Sequence, residues 1–167
     1  IKYREFEVQQ EAQREQFLRK LAQRGSDVII AVGFAQAPAL QKVAAEFPNT
    51  KFSIIDMVVD LPNVQSIVFK EHEGSFLVGA LAAMKSQTGK VGFVGGMDIP
   101  LIRRFACGYV QGVKHINAGT KVFQKMTGTT PAAWNDPTRG GELAKSMSDN
   151  GEDIVYAAAG GTGLGVL

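Results

Sequence analysis

Apolar runs of strand length recur along this chain, and stretches of helical period separate them. "DVIIAVGF", "KFSIIDMVV", "KVGFVGG" and "DIVYAAAGG" are each too short for a buried helix and too continuous for a half-exposed antiparallel strand. The segments between them repeat on a helical period. Leu40, Val43, Ala44 and Phe47 follow Pro38 at helical spacing, and Ile102, Phe105, Ala106, Tyr109, Val110, Val113 and Ile116 make one apolar face. Strand–helix–strand alternation of this kind dictates parallel sheets with right-handed crossovers, hence an α/β fold.

The remaining elements fit that scheme. "IKYREFEV" alternates and reads as a strand. Residues 9–24 read as a polar helix with Phe17, Leu18 and Leu21 inward and Gly25 as its stop. "DVIIAVGF" is expected to be covered on both faces. "VQSIVFK" and "KVFQKMTG" read as further strands, "EHEGSFLVGALAAMKSQ" as a helix ended by Thr88-Gly89, and "TTPAAW" as a loop. Asp136 is placed to N-cap a helix whose first residue is Pro137. The break between halves falls near "VFKEHEG", giving lobes over 1–70 and 71–167. The chain begins within one apparent strand and stops in "GLGVL" without a closing element, so it is expected to be a piece of a longer protein. The lack of a leader says nothing about location.

The bulk numbers exclude several classes. The 167 residues are 45% hydrophobic and 20% charged, which excludes disorder. A formal charge of +2 with interleaved signs leaves no basic stripe for nucleic acid. No apolar run approaches the roughly 18 residues of a membrane span. The single cysteine, Cys107, lies in an apolar helical pattern and reads as a buried small hydrophobe rather than a nucleophile. His72 and His115 have no nucleophile or acid at a diagnostic spacing, and neither hydrolase nor metalloprotease motifs occur. Neither a metal nor a cofactor is expected.

In open α/β sheets, ligands sit beyond the carboxyl ends of the strands. Those ends hold Gly33-Phe34, Asp56-Met57, Gly95 to Asp98, the Gly128-to-Trp134 loop, and Ala159-Gly160-Gly161. The closing glycines fail the dinucleotide fingerprint, since Val166 stands where the third glycine belongs, and no lysine follows for a Walker loop. They either bring backbone close to a ligand or form a tight strand-to-helix turn, with Gly163 and Gly165 opening the helix. Trp134, the only tryptophan, either stacks on a planar ligand or packs under the next helix start. Asp56 ends an apolar strand, where a carboxylate needs a ligand or a hydrogen-bond partner; capping the following turn is the alternative. Phe34 is a second aromatic wall or a core residue. Asp98 reads as a cap for the next helix.

Five co-linear segments, "TKFSIID", "VFKEHEGSFLVGALAA", "GKVGFVGGMDIPLIRRFACGYVQGV", "NDPTRGGELA" and "DIVYAAAGGTG", together resemble the basic membrane protein family of ABC-transporter substrate-binding proteins, related to purine nucleoside receptor lipoproteins. The resemblance spans almost the whole chain. It implies a type I periplasmic-binding-protein fold of two doubly wound parallel-sheet lobes closing on a ligand, here as an incomplete fragment. It implies a binding protein and no enzyme: an extracytoplasmic receptor, periplasmic or lipid-anchored, monomeric, that takes a purine nucleoside or nucleobase and hands it to an ABC permease. Carried over by motif, Trp134 stacks on the base, Asp56 contacts the ligand, Gly160 and Gly161 present backbone to it, and Phe34 lines the pocket. The family's first strand with its "DxxFN"-like loop, a later "GVD"-like strand and a downstream lysine have no counterpart here, so only part of the site is expected. A receptor for a sugar or another solute, or the sensing domain of a regulator, is the alternative.

Overall fold

The computed structural model describes residues 2–8 and 10–167. Ile1 of the expected first strand and Gln9 of the expected first helix lie outside the described residues. The chain divides into two compact units, 1–69 and 70–167.

In the first unit, α1 (Gln13–Gln23) precedes β1 (Val28–Val32), α2 (Ala37–Glu46), β2 (Lys51–Ile55) and β3 (Val64–Ile67). The strands are all parallel, in the order β1-β2-β3. Gly25, at a φ of +69°, ends α1 as glycine does beyond a helix C-terminus. Leu18 and Ala22 of α1 and Leu40, Val43 and Ala44 of α2 pack with Ile29, Ala31, Phe52 and Ile54 of the sheet into one core. Both helices therefore cover the same sheet face.

Two expectations fail here. Residues 2–8 form no strand; Phe6 instead stacks on Phe17 of α1 at 5.0 Å. Alternation gives a segment two faces, but a strand also needs a ladder partner, and these residues pair with none. β1 is also not covered on both faces within its unit. Ile29 and Ala31 are buried, whereas Val28, Ile30 and Val32 are 53%, 60% and 67% exposed. The apolar run shows what a strand can bury; what covers it depends on distant chain. β2 and β3 are also shorter than their apolar runs, and Val58, Val68 and Phe69 beyond them are exposed.

In the second unit, α3 (Glu71–Lys85) precedes β4 (Lys90–Met97), α4 (Pro100–Ile116), β5 (Lys121–Gly128), α5 (Pro137–Asp149), β6 (Ile154–Ala158) and the short α6 (Gly163–Val166). The order is β5-β4-β6, all parallel, with β4 central. Val91 and Phe93 face Ile102, Ala106, Tyr109 and Val113 of α4, while Val94 on the other face meets Leu143 and Met147 of α5. α3 lies directly on α4, because a Cβ at Gly108 or Gly112 would strike the His72 or Phe76 carbonyl. Asp136 caps α5 as expected, its carboxylate accepting from Arg139 N–H at 2.9 Å. "TTPAAW" ends in a 3₁₀ turn, Pro131–Trp134.

Cys107 is exposed, contrary to expectation. The buried stripe of α4 runs through Ile102, Ala106, Tyr109 and Val113, and Cys107 follows Ala106 off that stripe. Ile116, at the end of the same helix, is 39% exposed.

Candidate ligand-binding site

In the second unit, three strand ends meet around Trp134. The ring is half-buried and rests on Gly96 of β4, where a Cβ would run into its six-membered ring. Gly96 is thus required by the indole above it. The Gly160–Thr162 turn after β6 lies alongside: Cβ atoms built at Gly160 and Gly161 would sit 3.3 and 3.2 Å from the Trp134 carbonyl. Gly160 has a φ of +56°, a region that favours glycine. The fold therefore brings Trp134, Gly160 and Gly161 together. Gly163 opens α6, and a Cβ at Gly165 would strike the Pro137 carbonyl, so these two glycines serve the helix start and its packing on α5.

Threonine hydroxyls hold this cluster, and they escaped the sequence reading. The Thr127 hydroxyl lies 2.9 Å from the Ala133 carbonyl and 3.1 Å from that of Gly96. The fully buried Thr162 hydroxyl donates to the same Ala133 carbonyl at 2.8 Å and accepts from Asp136 N–H at 2.8 Å. Thr162 stands in "AGGTG", where the glycines drew attention away from it.

Asp98 is not a helix cap. Arg103 Nε and Nη2 donate to its two carboxylate oxygens at 2.6 and 3.0 Å, and this guanidinium holds the Asp98 carboxyl below its ordinary value. A capping residue must precede its helix directly, and Ile99 occupies that place. His115 lies against Phe76, with ring centroids 5.5 Å apart. No group of three or more His, Cys, Asp or Glu suited to a metal occurs among the described residues, and no helix there is long and apolar enough to cross a membrane.

In the first unit, the strand ends carry Phe34 and Asp56. Gly33, at a φ of +95°, donates its N–H to the Ile55 carbonyl at 3.1 Å and swings the chain from β1 into the 3₁₀ turn Phe34–Gln36. Phe34 is half-buried. Asp56 follows β2 at a φ of +69°, the one non-glycine with positive φ among the described residues, and donates its N–H to the Ile67 carbonyl at 2.9 Å. A left-handed aspartate is strained by about 1 kcal/mol relative to glycine. Strain of this kind concentrates where function demands a particular side chain. Phe34 and Asp56 thus leave adjacent parallel strands, β1 and β2.

Comparisons with known proteins bear on the family and the fold. The family model for PnrA-like ABC transporter substrate-binding proteins matches residues 1–167. A nucleoside-binding ABC transporter protein, BmpA of Lactococcus lactis, is 37% identical over 146 residues, covering 87% of this chain and 40% of that protein. The CD4+ T-cell-stimulating antigen of Listeria monocytogenes is also 37% identical, over 142 residues, covering 84% of this chain and 39% of that protein. A crystal structure of an ABC transporter solute-binding protein from Aeropyrum pernix superposes with a TM-score of 0.79 at 35% identity, over 95% of this chain and 46% of that one. The chain thus spans under half the length of these relatives. Its fold is the type I periplasmic-binding one. With its parallel sheets and its residues gathered at strand ends, the chain belongs to the PnrA-like, basic membrane protein family of ABC transporter substrate-binding proteins, a family of solute binders rather than enzymes.

Proposed function

We propose that the protein carrying this chain is an extracytoplasmic receptor of an ABC importer that binds a purine nucleoside or nucleobase and delivers it to a permease. The observation that carries this reading is the grouping of Trp134 with Gly160 and Gly161 at the carboxyl ends of a parallel sheet. An indole offers a flat apolar surface for a base, and base–aromatic stacking contributes about 1–3 kcal/mol. The adjacent glycines leave backbone groups accessible to a ligand edge. In this reading Asp56 accepts hydrogen bonds from ligand hydroxyl or amino groups, Phe34 forms a further apolar wall, and the receptor works in the periplasm or as a lipoprotein anchored to the cell membrane. The nucleoside-binding description of the Lactococcus relative supports the ligand class.

Calorimetric titration with adenosine, guanosine, adenine and ribose tests the proposal. Nucleosides or purines are expected to bind and ribose alone to fail. Trp134→Ala is expected to weaken nucleoside binding roughly tenfold or more, and Trp134→Phe much less. Tight ribose binding, or an unchanged Trp134→Ala protein, would overturn the purine reading.

A further inference from the structure

Trp134 ends a four-residue 3₁₀ turn, outside the α-helices and strands. Its backbone is held where the contacts of that turn hold it, while its ring rests on Gly96. The Ala133 carbonyl, next to it in the chain and in a residue only 5% exposed, faces two hydroxyls, Thr127 at 2.9 Å and Thr162 at 2.8 Å. Thr127 also reaches the Gly96 carbonyl, and its single proton serves one acceptor at a time. Thr162 is committed: its one proton goes to Ala133, and its oxygen accepts from Asp136 N–H at 2.8 Å. One buried side chain thus holds the backbone on both sides of Trp134. The same residue ends the Gly160–Thr162 turn.

We propose that Thr162 is a positioning residue of the ligand site, fixing the Trp134 ring relative to the Gly160–Gly161 backbone. This rests on the reading of Trp134 as the stacking residue. The hydroxyl does the positioning. The methyl group serves packing, since it lies 3.2 Å from where a Cβ at Gly140 of α5 would stand. Thr162→Val keeps the shape and removes both hydrogen bonds, whereas Thr162→Ser keeps the bonds and removes the methyl. Stability and position are therefore separable.

The test uses the full-length protein labelled with 5-fluorotryptophan, the residue-134 resonance being assigned by its loss in Trp134→Phe. Thr162→Val is expected to shift or broaden that resonance and to weaken adenosine and guanosine binding roughly tenfold. Thr162→Ser is expected to preserve both, even with a lower melting temperature. In a Trp134→Ala background, Thr162→Val is expected to cost no further affinity, because the two act through one contact. An unmoved resonance, equal losses in the Val and Ser variants, or additive losses with Trp134→Ala would overturn the proposal. If Trp134→Ala alone leaves nucleoside affinity intact, the stacking reading falls and takes this proposal with it. If Trp134→Ala weakens binding and Thr162→Val does not, only the positioning role falls. Should Thr162→Val not fold, Thr162→Cys, of similar volume and weaker hydrogen bonding, is measured against the same outcomes.

Discussion

Two apolar strands of this molecule, β4 at the centre of its sheet and β1 at the edge of its own, live in different surroundings. β4 has helices of its own unit on both faces: Phe93 and Val94 point opposite ways and are both fully buried. β1, "VIIAV", is as apolar as β4 but has α1 and α2 on one face only. An apolar run therefore records the burial a strand is suited to, and the crossover connections decide how much it receives. In the second unit the links β4–α4–β5 and β5–α5–β6 run across the sheet in opposite directions, so right-handed crossovers place α4 and α5 on opposite faces. In the first unit only β1–α2–β2 contains a crossover helix, and α1 joins α2 on the same face.

The largest expected effect tests this contrast directly. Phe93→Ala should destabilise the chain by about 3–5 kcal/mol, because it empties a fully enclosed site. Ile30→Ala, at a position 60% exposed, should cost no more than about 0.5 kcal/mol. Urea unfolding of the two variants beside the parent measures both. An Ile30→Ala cost of about 2 kcal/mol or more would mean that the outer face of β1 is covered in solution.

A finer contrast lies at the strand ends. Both units bend the chain through positive φ after a strand, but after β2 the first uses Asp56 at +69° where, after β6, the second uses Gly160 at +56°. The first therefore stores strain that the second avoids. Asp56→Gly should stabilise the chain by about 0.5–1 kcal/mol. Gly160→Ala should destabilise it by about 1 kcal/mol. In the full-length receptor, Asp56→Gly should lower ligand affinity despite its added stability, a combination that marks a side chain kept for binding. Thermal melts and calorimetric titration of the same samples check the pair.

These contrasts show which parts of the structure could be read from residues alone. The strands "DVIIAVGF" and "KVGFVGG", the helix face Ile102 to Val113 and the Asp136 cap follow from local rules, because period and capping chemistry are written within a few residues. Failures began where distant chain decides. "IKYREFEV" has strand alternation and no partner, and Cys107 sits one step off a buried stripe whose direction α3 and β4 jointly set. At the candidate site, Trp134, Gly160, Gly161, Phe34 and Asp56 could be named from their places at strand ends. The left-handed twist of Asp56 and the hydrogen bonds of Thr162 could not, because a backbone angle and a contact across 26 residues leave no local pattern.

The smallest effect concerns how the sheet of the second unit is tied to α3. Asp153, just before β6, accepts from the Ser86 hydroxyl at 2.7 Å and from the Gln87 and Thr88 N–H groups at 2.6 and 3.0 Å, at the end of α3. Desolvation alone would raise the Asp153 carboxyl; the Ser86, Gln87 and Thr88 donors outweigh it and hold the group below its ordinary value. A depressed carboxyl stabilises the fold only while ionised. Its contribution is complete above the unfolded value of about 3.9 and fades as pH falls through the lower folded value. Asp153→Asn keeps one acceptor oxygen and loses the charge, so it should cost about 0.5 kcal/mol at pH 7, a small figure because the site is exposed. The gap between parent and variant should be widest above about pH 4 and narrow as pH falls below it. The first unit has its own depressed acids, Glu15 and Glu46, each hydrogen-bonded first of all to Arg19. Their ion pairs with Arg19 and Lys42 join α1 to α2. Asp153→Asn should therefore speed hydrogen exchange at β6 and the end of α3 while leaving exchange in β1–β3 as in the parent. Equal acceleration in both units would show that the two sheets open together.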